Sequence, residues 1–348
     1  MRTSAFTLMA TATMALGLLT ACSQNLQQPA AGAGTVPLPS MRSGFQPMRA
    51  ADGALAVLPV GFAPNLLRPS WMKTAPAGHR RRSHIAVAEF GSSSILWFKA
   101  NDRTNSPPVV CEPASSTNGI RIDRYGNLWV PNGRANTTTE YAPHCGAAKL
   151  TIPDPTGEPA DVAFDHLGHV YIMNLNNVSG KPTVNVYTIM GKHIRTLSDP
   201  SFEVPMGVES DVKGDVFVSN LTGSNVGIVV EFPQGKMPGK QLSGIHLGLP
   251  GVPAFDSHEN LVIGDWLALT INVFAPPYTD KPTTFPMKGQ SIWCPLDHYE
   301  THIYCGDAQN GAIDVYAYPS GTYLFSDTAD LSPSALVTGV APAPPAPY

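Results

Sequence analysis

Gly119 to Asn132 reads GIRIDRYGNLWVPN, two short β-prone runs divided by Asp123-Arg124-Tyr125-Gly126-Asn127. Apolar and β-branched residues on both sides of a glycine-containing turn make a hairpin, and Gly126 can supply φ > 0 there. One hairpin decides nothing; its recurrence does. The aspartate closing the first run returns in GIRID (Asp123), DVAFD (Asp165), GVESD (Asp211), VPAFD (Asp256) and CPLD (Asp297), at spacings of 42, 46, 45 and 41 residues. Each is followed by a turn and a second run: NLWVPN, HVYIMN, DVFVSN, NLVIGD and HIYCGD, with HIAVAE upstream as a sixth. A third run follows each, carrying Phe98, Tyr141, Tyr187, Phe232, Phe274 and Tyr316 in matching places.

Six repeats of about 44 residues, each with several strands, predict the blades of a propeller. The second runs are apolar at successive positions, as in Leu128-Trp129-Val130 and Val216-Phe217-Val218. A half-exposed strand would alternate, so these runs predict strands covered on both faces by neighbouring blades. The fold expected is all-β: a six-bladed β-propeller of four-stranded antiparallel blades. The first repeat lacks a first run, while ALVTGVAP (Ala335 to Pro342) has no second run after it. The C-terminal strand is therefore expected to complete the N-terminal blade and close the ring, which leaves few open edges.

The composition agrees. Of 348 residues 14% are charged, with 31 Gly and 34 Pro, which suits a turn-rich β protein. A net charge of −4 offers no basic surface for nucleic acid.

Arg2 precedes an apolar, small-residue run from Ala5 to Leu19, and residues 1–21 read as a secretory signal. No later segment reaches the roughly 18 apolar residues of a membrane span. Leu19-Thr20-Ala21-Cys22 resembles the bacterial lipobox, which implies lipidation of Cys22 and a membrane anchor rather than plain secretion. Ser23 resembles the Gram-negative signal for outer-membrane sorting. Residues 22–78, rich in Gln, Ala, Pro and Gly, read as a tether, 79–342 as the propeller and 343–348 as a Pro-rich tail. Arg80-Arg81-Arg82 reads as a solvated run, the phosphate contact being the other reading.

With the repeats laid out, the chain resembles the NHL-repeat and YncE-like propellers. The pattern G-[IV]-x-x-D-x-x-G-[ND]-[LV]-[WF]-V-x-N stands in Gly119–Asn132 and Gly207–Asn220, and the likeness covers residues 83 to 342. It implies the fold rather than an activity, since such propellers include lyases, lactonases and binding modules. The six-bladed gluconolactonase-like hydrolases hold a divalent metal through an Asn in Pro-Asn-Asp and an Asp in Pro-Asp-Gly. Here those stretches read Pro159-Ala160-Asp161 and Pro205-Met206-Gly207, and Ala and Met offer no oxygen ligand. Asn118 is the one defensible match, so neither metal nor cofactor is expected.

The second runs end in Glu89, Asn132, Asn174, Asn220, Asp265 and Asp307. These six either cap the following turns or gather a ligand at one end of the channel, together with Asn118, Glu158, Met206 and Gln290 where inner strands begin. The aspartates at 123, 165, 211, 256 and 297 read as structural groups of the opposite turns. No histidine pair has metal spacing with a third carboxylate, and there is no G-x-S-x-G, P-loop or dinucleotide fingerprint. Four cysteines remain beyond Cys22. Counting back from the last turn, which has one extra residue, puts Cys294 opposite Cys305 as a disulfide; the two cysteines left over, Cys111 and Cys145, would then pair between the outer parts of the first two blades. The function expected is a monomeric binding or scaffolding module for a protein or envelope polymer. The alternative is a metal-assisted lyase or lactonase-like hydrolase at the channel mouth.

Overall fold

The computed structural model describes residues 84–90, 94–99, 109–111, 119–143, 146–155, 157–177, 180–328, 331 and 336–342. Blade I holds β1 (His84–Phe90), β2 (Ser94–Lys99) and β3 (Val109–Cys111). Blade II holds β4 (Arg121–Ile122), β5 (Leu128–Asn132), β6 (Thr137–Tyr141) and β7 (Ala148–Pro153). Blade III runs through β8 (Gly157–Phe164), β9 (His169–Asn177), β10 (Thr183–Thr188) and β11 (His193–Leu197). Blade IV has β12 (Val204–Ser210), β13 (Val216–Leu221), β14 (Gly227–Phe232) and β15 (Lys240–Gln241). Blade V has β16 (Ala254–Phe255), β17 (Leu261–Asp265), β18 (Thr270–Phe274) and β19 (Thr283–Pro286). Blade VI has β20 (His302–Asp307), β21 (Ala312–Ala317) and β22 (Tyr323–Asp327), and β23 (Leu336–Pro342) ends the series.

All pairings are antiparallel. The first sheet has the order β23-β1-β2-β3, so the C-terminal strand takes the innermost place of the N-terminal blade, as predicted. β23 packs against β20 on one side and β4 on the other, which closes the ring. The inner strand of blade VI is reduced to a single bridge, Leu296 with Ile303. Two backbone bonds, Tyr304 N to Pro295 O (3.0 Å) and Gly306 N to Trp293 O (3.0 Å), hold the rest of that run in place.

The continuous apolar runs have the predicted cause. Along β13, Val216 and Val218 face blade III with Val208, Tyr171 and Val186, while Phe217 between them faces blade V with Leu261 and Phe274. In β5, Leu128 and Val130 meet Ala86, Ala88 and Trp97 of blade I, and Trp129 meets Val162 and Ile172 of blade III. Alternate residues serve alternate neighbours, so every position is apolar. Six apolar clusters fill the six gaps between blades.

The turns after the inner strands of blades II to V share one hydrogen-bond scheme. Asp123 Oδ1 accepts the amides of Tyr125 and Asn127, and Oδ2 accepts Asn127 Nδ2 and Trp129 Nε1. Asp165 does the same with Leu167, His169 and Tyr171, and Asp256 with His258, Asn260 and Tyr318. Gly126, Gly168 and Gly214 take φ near +83 to +85° at the third turn position, where blades V and VI carry Glu259 (φ 64°) and Glu300 (φ 54°). Replacing Gly126 by Ala is expected to cost about 1–2 kcal/mol, read by urea unfolding. A smaller effect than that of Gly133→Ala, a site without positive φ, would contradict it.

Cys294 and Cys305 form the predicted disulfide, with Cα atoms 4.2 Å apart and eleven residues of separation. Both are buried beside Met287, Ile303 and Tyr316. The bond takes over where the inner strand of blade VI lacks a full ladder. Closing so short a loop is worth about 3 kcal/mol in the unfolded-chain model. Unfolding with and without reductant should differ by that amount, and a peptide map without reductant should recover the two cysteines joined. Cys145 and the Cys111 side chain lie outside the described residues.

Candidate functional site

The ring has two faces: the leading face, where inner strands begin and second strands end, and the trailing face, where inner strands pass through the aspartate turns. A cavity of about 590 Å³ opens at the trailing face, lined by all six blades. Its wall is the second half of each inner strand: Arg121 and Ile122, Phe164, Glu209 and Ser210, Ala254 and Phe255, Leu296, and Val340 to Pro342. A volume of that size is in the range of ligand sites.

Three charged groups join the inner strands of blades II, III and IV. Arg121 Nη2 lies 3.6 Å from Asp161 Oδ2 and 3.4 Å from Glu209 Oε2, and donates to Val208 O at 3.2 Å. Asp161 is fully buried and also accepts the Val208 amide at 3.0 Å, while Glu209 retains 23% side-chain exposure toward the cavity. Burial pushes the carboxyls of Asp161 and Glu209 above their ordinary values, against the pull of Arg121. Burial also opposes charging of Arg121, but the two carboxylates outweigh it and raise its pKa. Asp161 stands where the neighbouring repeats have Gly119 and Gly207. A Cβ on Gly119 would lie 2.4 Å from Asp161 Oδ1, so the carboxylate fits because its neighbour is glycine.

The residues predicted for the channel mouth sit on the leading face, and none of those described lines the cavity. Asn220 Oδ1 accepts the amides of Glu203 and Val204, and its Nδ2 donates to Ser201 O. Asp265 takes the amides of Gly248, Leu249, Leu267 and Ala268. Asp307 takes those of Gln309 and Asn310 and the Asn310 amide group. Asn132 donates to Val130 O, Thr137 and Thr139, and Asn174 to Ile172 O and Asp154. These groups brace turns and the chain between blades. Met206 is packed with Leu221, Leu249 and Trp266. The Gln290 carbonyl accepts the Ala308 amide. Glu158 is buried with one side-chain partner among the described residues, Asn176 Nδ2 at 3.3 Å, and burial raises its pKa. Asn118, Cys22 and the Glu89 side chain lie outside the described residues.

Asp256, His258 and Glu300 can bring one ligand atom each within 4.8 Å of one another on the trailing face. Asp256 already accepts four protein donors, and that hydrogen bonding, working against burial, lowers its pKa. Its lone pairs are therefore taken, which makes it a poor direct ligand for a metal ion.

Sequence reasoning missed Arg121 and Glu209. The usable signal is positional: two residues before the turn aspartate, these repeats carry charge where the others have Ala163, Ala254 and Pro295.

No family model matches the sequence, and no curated protein does. Among solved structures, the chain is similar to one in a nidogen/laminin complex, with a TM-score of 0.65 at 15% identity over 75% of this chain and 98% of that one. The fold is a six-bladed β-propeller. A protein of unknown function from Bacteroides caccae matches the propeller with a TM-score of 0.56 at 13% identity, over 75% of this chain and 99% of the other. A streptogramin B lyase matches with 0.50 at 14%, over 73% and 76%. At these identities the likeness is one of fold.

Proposed function

We propose that this protein is a lipid-anchored propeller of the cell envelope that binds a protein or envelope polymer. The observation that carries this reading is how the polar groups of the channel are used. The turn aspartates are held by backbone amides, and Arg121 is held by Asp161 and Glu209. Groups so committed recognise and position rather than transfer protons. The match to a chain of a nidogen/laminin complex, a propeller in a protein–protein assembly, supports the same reading.

A second reading, a lyase or lactonase-like hydrolase on the leading face, rests on Glu158. That carboxyl is buried, has a raised pKa and has a single side-chain partner among the described residues, which suits a proton carrier. Metal analysis of the purified protein followed by a lactone and ester panel separates the two. Binding predicts no turnover above that of Glu158→Gln. Stoichiometric metal with turnover lost in that variant would replace the binding reading.

The anchor has its own test. Cys22→Ser is expected to abolish acyl labelling and release the protein from the membrane fraction. Unchanged partition with acyl labelling retained would exclude lipidation at Cys22.

A further inference from the structure

We propose that the trailing face is the binding face, and that its partner is a polypeptide segment presenting a lysine or arginine between apolar residues. The proposal rests on the binding reading and names the partner's chemistry. Two independent features of one surface carry it.

The first is charge. Seven carboxylates line the cavity against two guanidinium groups; Glu209 is paired with Arg121, and five of the other six are the turn aspartates, one from each of blades II to VI. Their amide partners fix them without removing their charge. A concave site with one dominant sign focuses a field that draws in the opposite charge. Arg124, also in the lining, lies 4.9 Å from the Tyr125 ring centre and donates to that residue's hydroxyl at 2.8 Å, and the carboxylates remain in excess. Arg121 is neutralised by its two carboxylates.

The second is an apolar rim. Tyr125, Leu167 and Met190 are 62%, 68% and 80% exposed, and Ile189 and Val212 are exposed as well; Leu167 and Met190 are sequence neighbours of the lining residues His166, Gly168 and Ile189. Ile189, Val212 and Tyr125 also line the cavity, so rim and cavity are continuous. The Ile189 amide donates to Gly168 O at 3.0 Å, which fixes the outer turn of blade III against its aspartate turn. Exposed apolar side chains gathered around a concave opening mark interaction sites. A small metal ion would use the charge and leave the rim idle, whereas a basic side chain with apolar neighbours in its chain uses both.

The probe is a display library of random linear peptides panned on the purified full chain. Enriched peptides are then measured by fluorescence polarisation. Selected peptides should carry Lys or Arg between apolar residues, and replacing that residue by norleucine should abolish binding. Met190→Asp and Leu167→Asp, both at exposed positions, should each weaken binding about tenfold or more. Glu300→Gln should weaken it less. Circular dichroism of each variant checks that the fold is kept. The proposal is overturned by the absence of enrichment, by selected peptides lacking a basic residue, or by binding indifferent to Met190→Asp and Leu167→Asp. Self-association of the protein lost in Met190→Asp would also overturn it, giving the face to a second copy. Selected peptides that bind away from this face would leave the broader binding reading standing while this proposal falls.

Discussion

Deletion of residues 332–348 is expected to unfold the whole propeller cooperatively, whereas deletion of 343–348 should leave its melting temperature unchanged. β23 pairs with β1 from Ile85 to Phe90 and supplies the innermost strand of blade I. Val337 and Val340 lie among Val87, Tyr304 and Val315, at the gap between blades I and VI. Ala341 reaches into the next gap, beside Ile120 and Val130. The fit is close: a Cβ on Gly306 would fall 2.3 Å from Val337. Each buried valine contributes about 1.5–3 kcal/mol and each backbone bond about 1 kcal/mol net. The loss is thus comparable with the 5–15 kcal/mol stability of a typical domain. A fall of at least about 15 °C in melting temperature, or loss of the transition, is expected. A long truncation that melts like the parent would mean the ring is closed by another strand.

Arg121→Met should be the most damaging single substitution in the channel. It leaves Asp161 fully buried and Glu209 mostly so, with no cation between them. Stranding a buried charge in this way costs about 3–5 kcal/mol. Both carboxyls already titrate above their ordinary 3.8 and 4.5, because burial disfavours the ion, and loss of Arg121 raises them further. A carboxyl whose folded pKa is raised destabilises the fold above that pKa, and the penalty fades as pH falls through the folded value toward the unfolded one. The deficit of the variant should therefore be largest near pH 7 and shrink toward pH 5, read by urea unfolding at both. An equal deficit at both values would show that the carboxyls are not the cause.

The fold was legible because a ring repeats its physics. The aspartate turn recurs at a fixed period, and the run after it is apolar at every position since its alternate residues serve two neighbours, as Trp129 and Val130 do. The Cys294–Cys305 bond followed from counting two strands back from one turn, which needs only register. The cavity did not follow. Asn132, Asn174, Asn220, Asp265 and Asp307 drew attention because they recur, yet none of them lines the cavity, whose wall carries Arg121 and Glu209, which break the repeat, beside turn aspartates that read as structural. The meeting of Arg121, Asp161 and Glu209 joins residues far apart in sequence, and only the packing of three successive blades brings their inner strands together.

Hydrogen exchange, measured by mass spectrometry on the full chain with and without a selected basic peptide, tests the trailing face as the binding face most directly. The turns at 123–126, 165–168 and 211–214, with Ile189 and Met190, should gain protection, while the leading-face segments around Asn132, Asn174, Asn220, Asp265 and Asp307 should exchange as before. Protection gained around those leading-face residues, with the aspartate turns unchanged, would contradict the account.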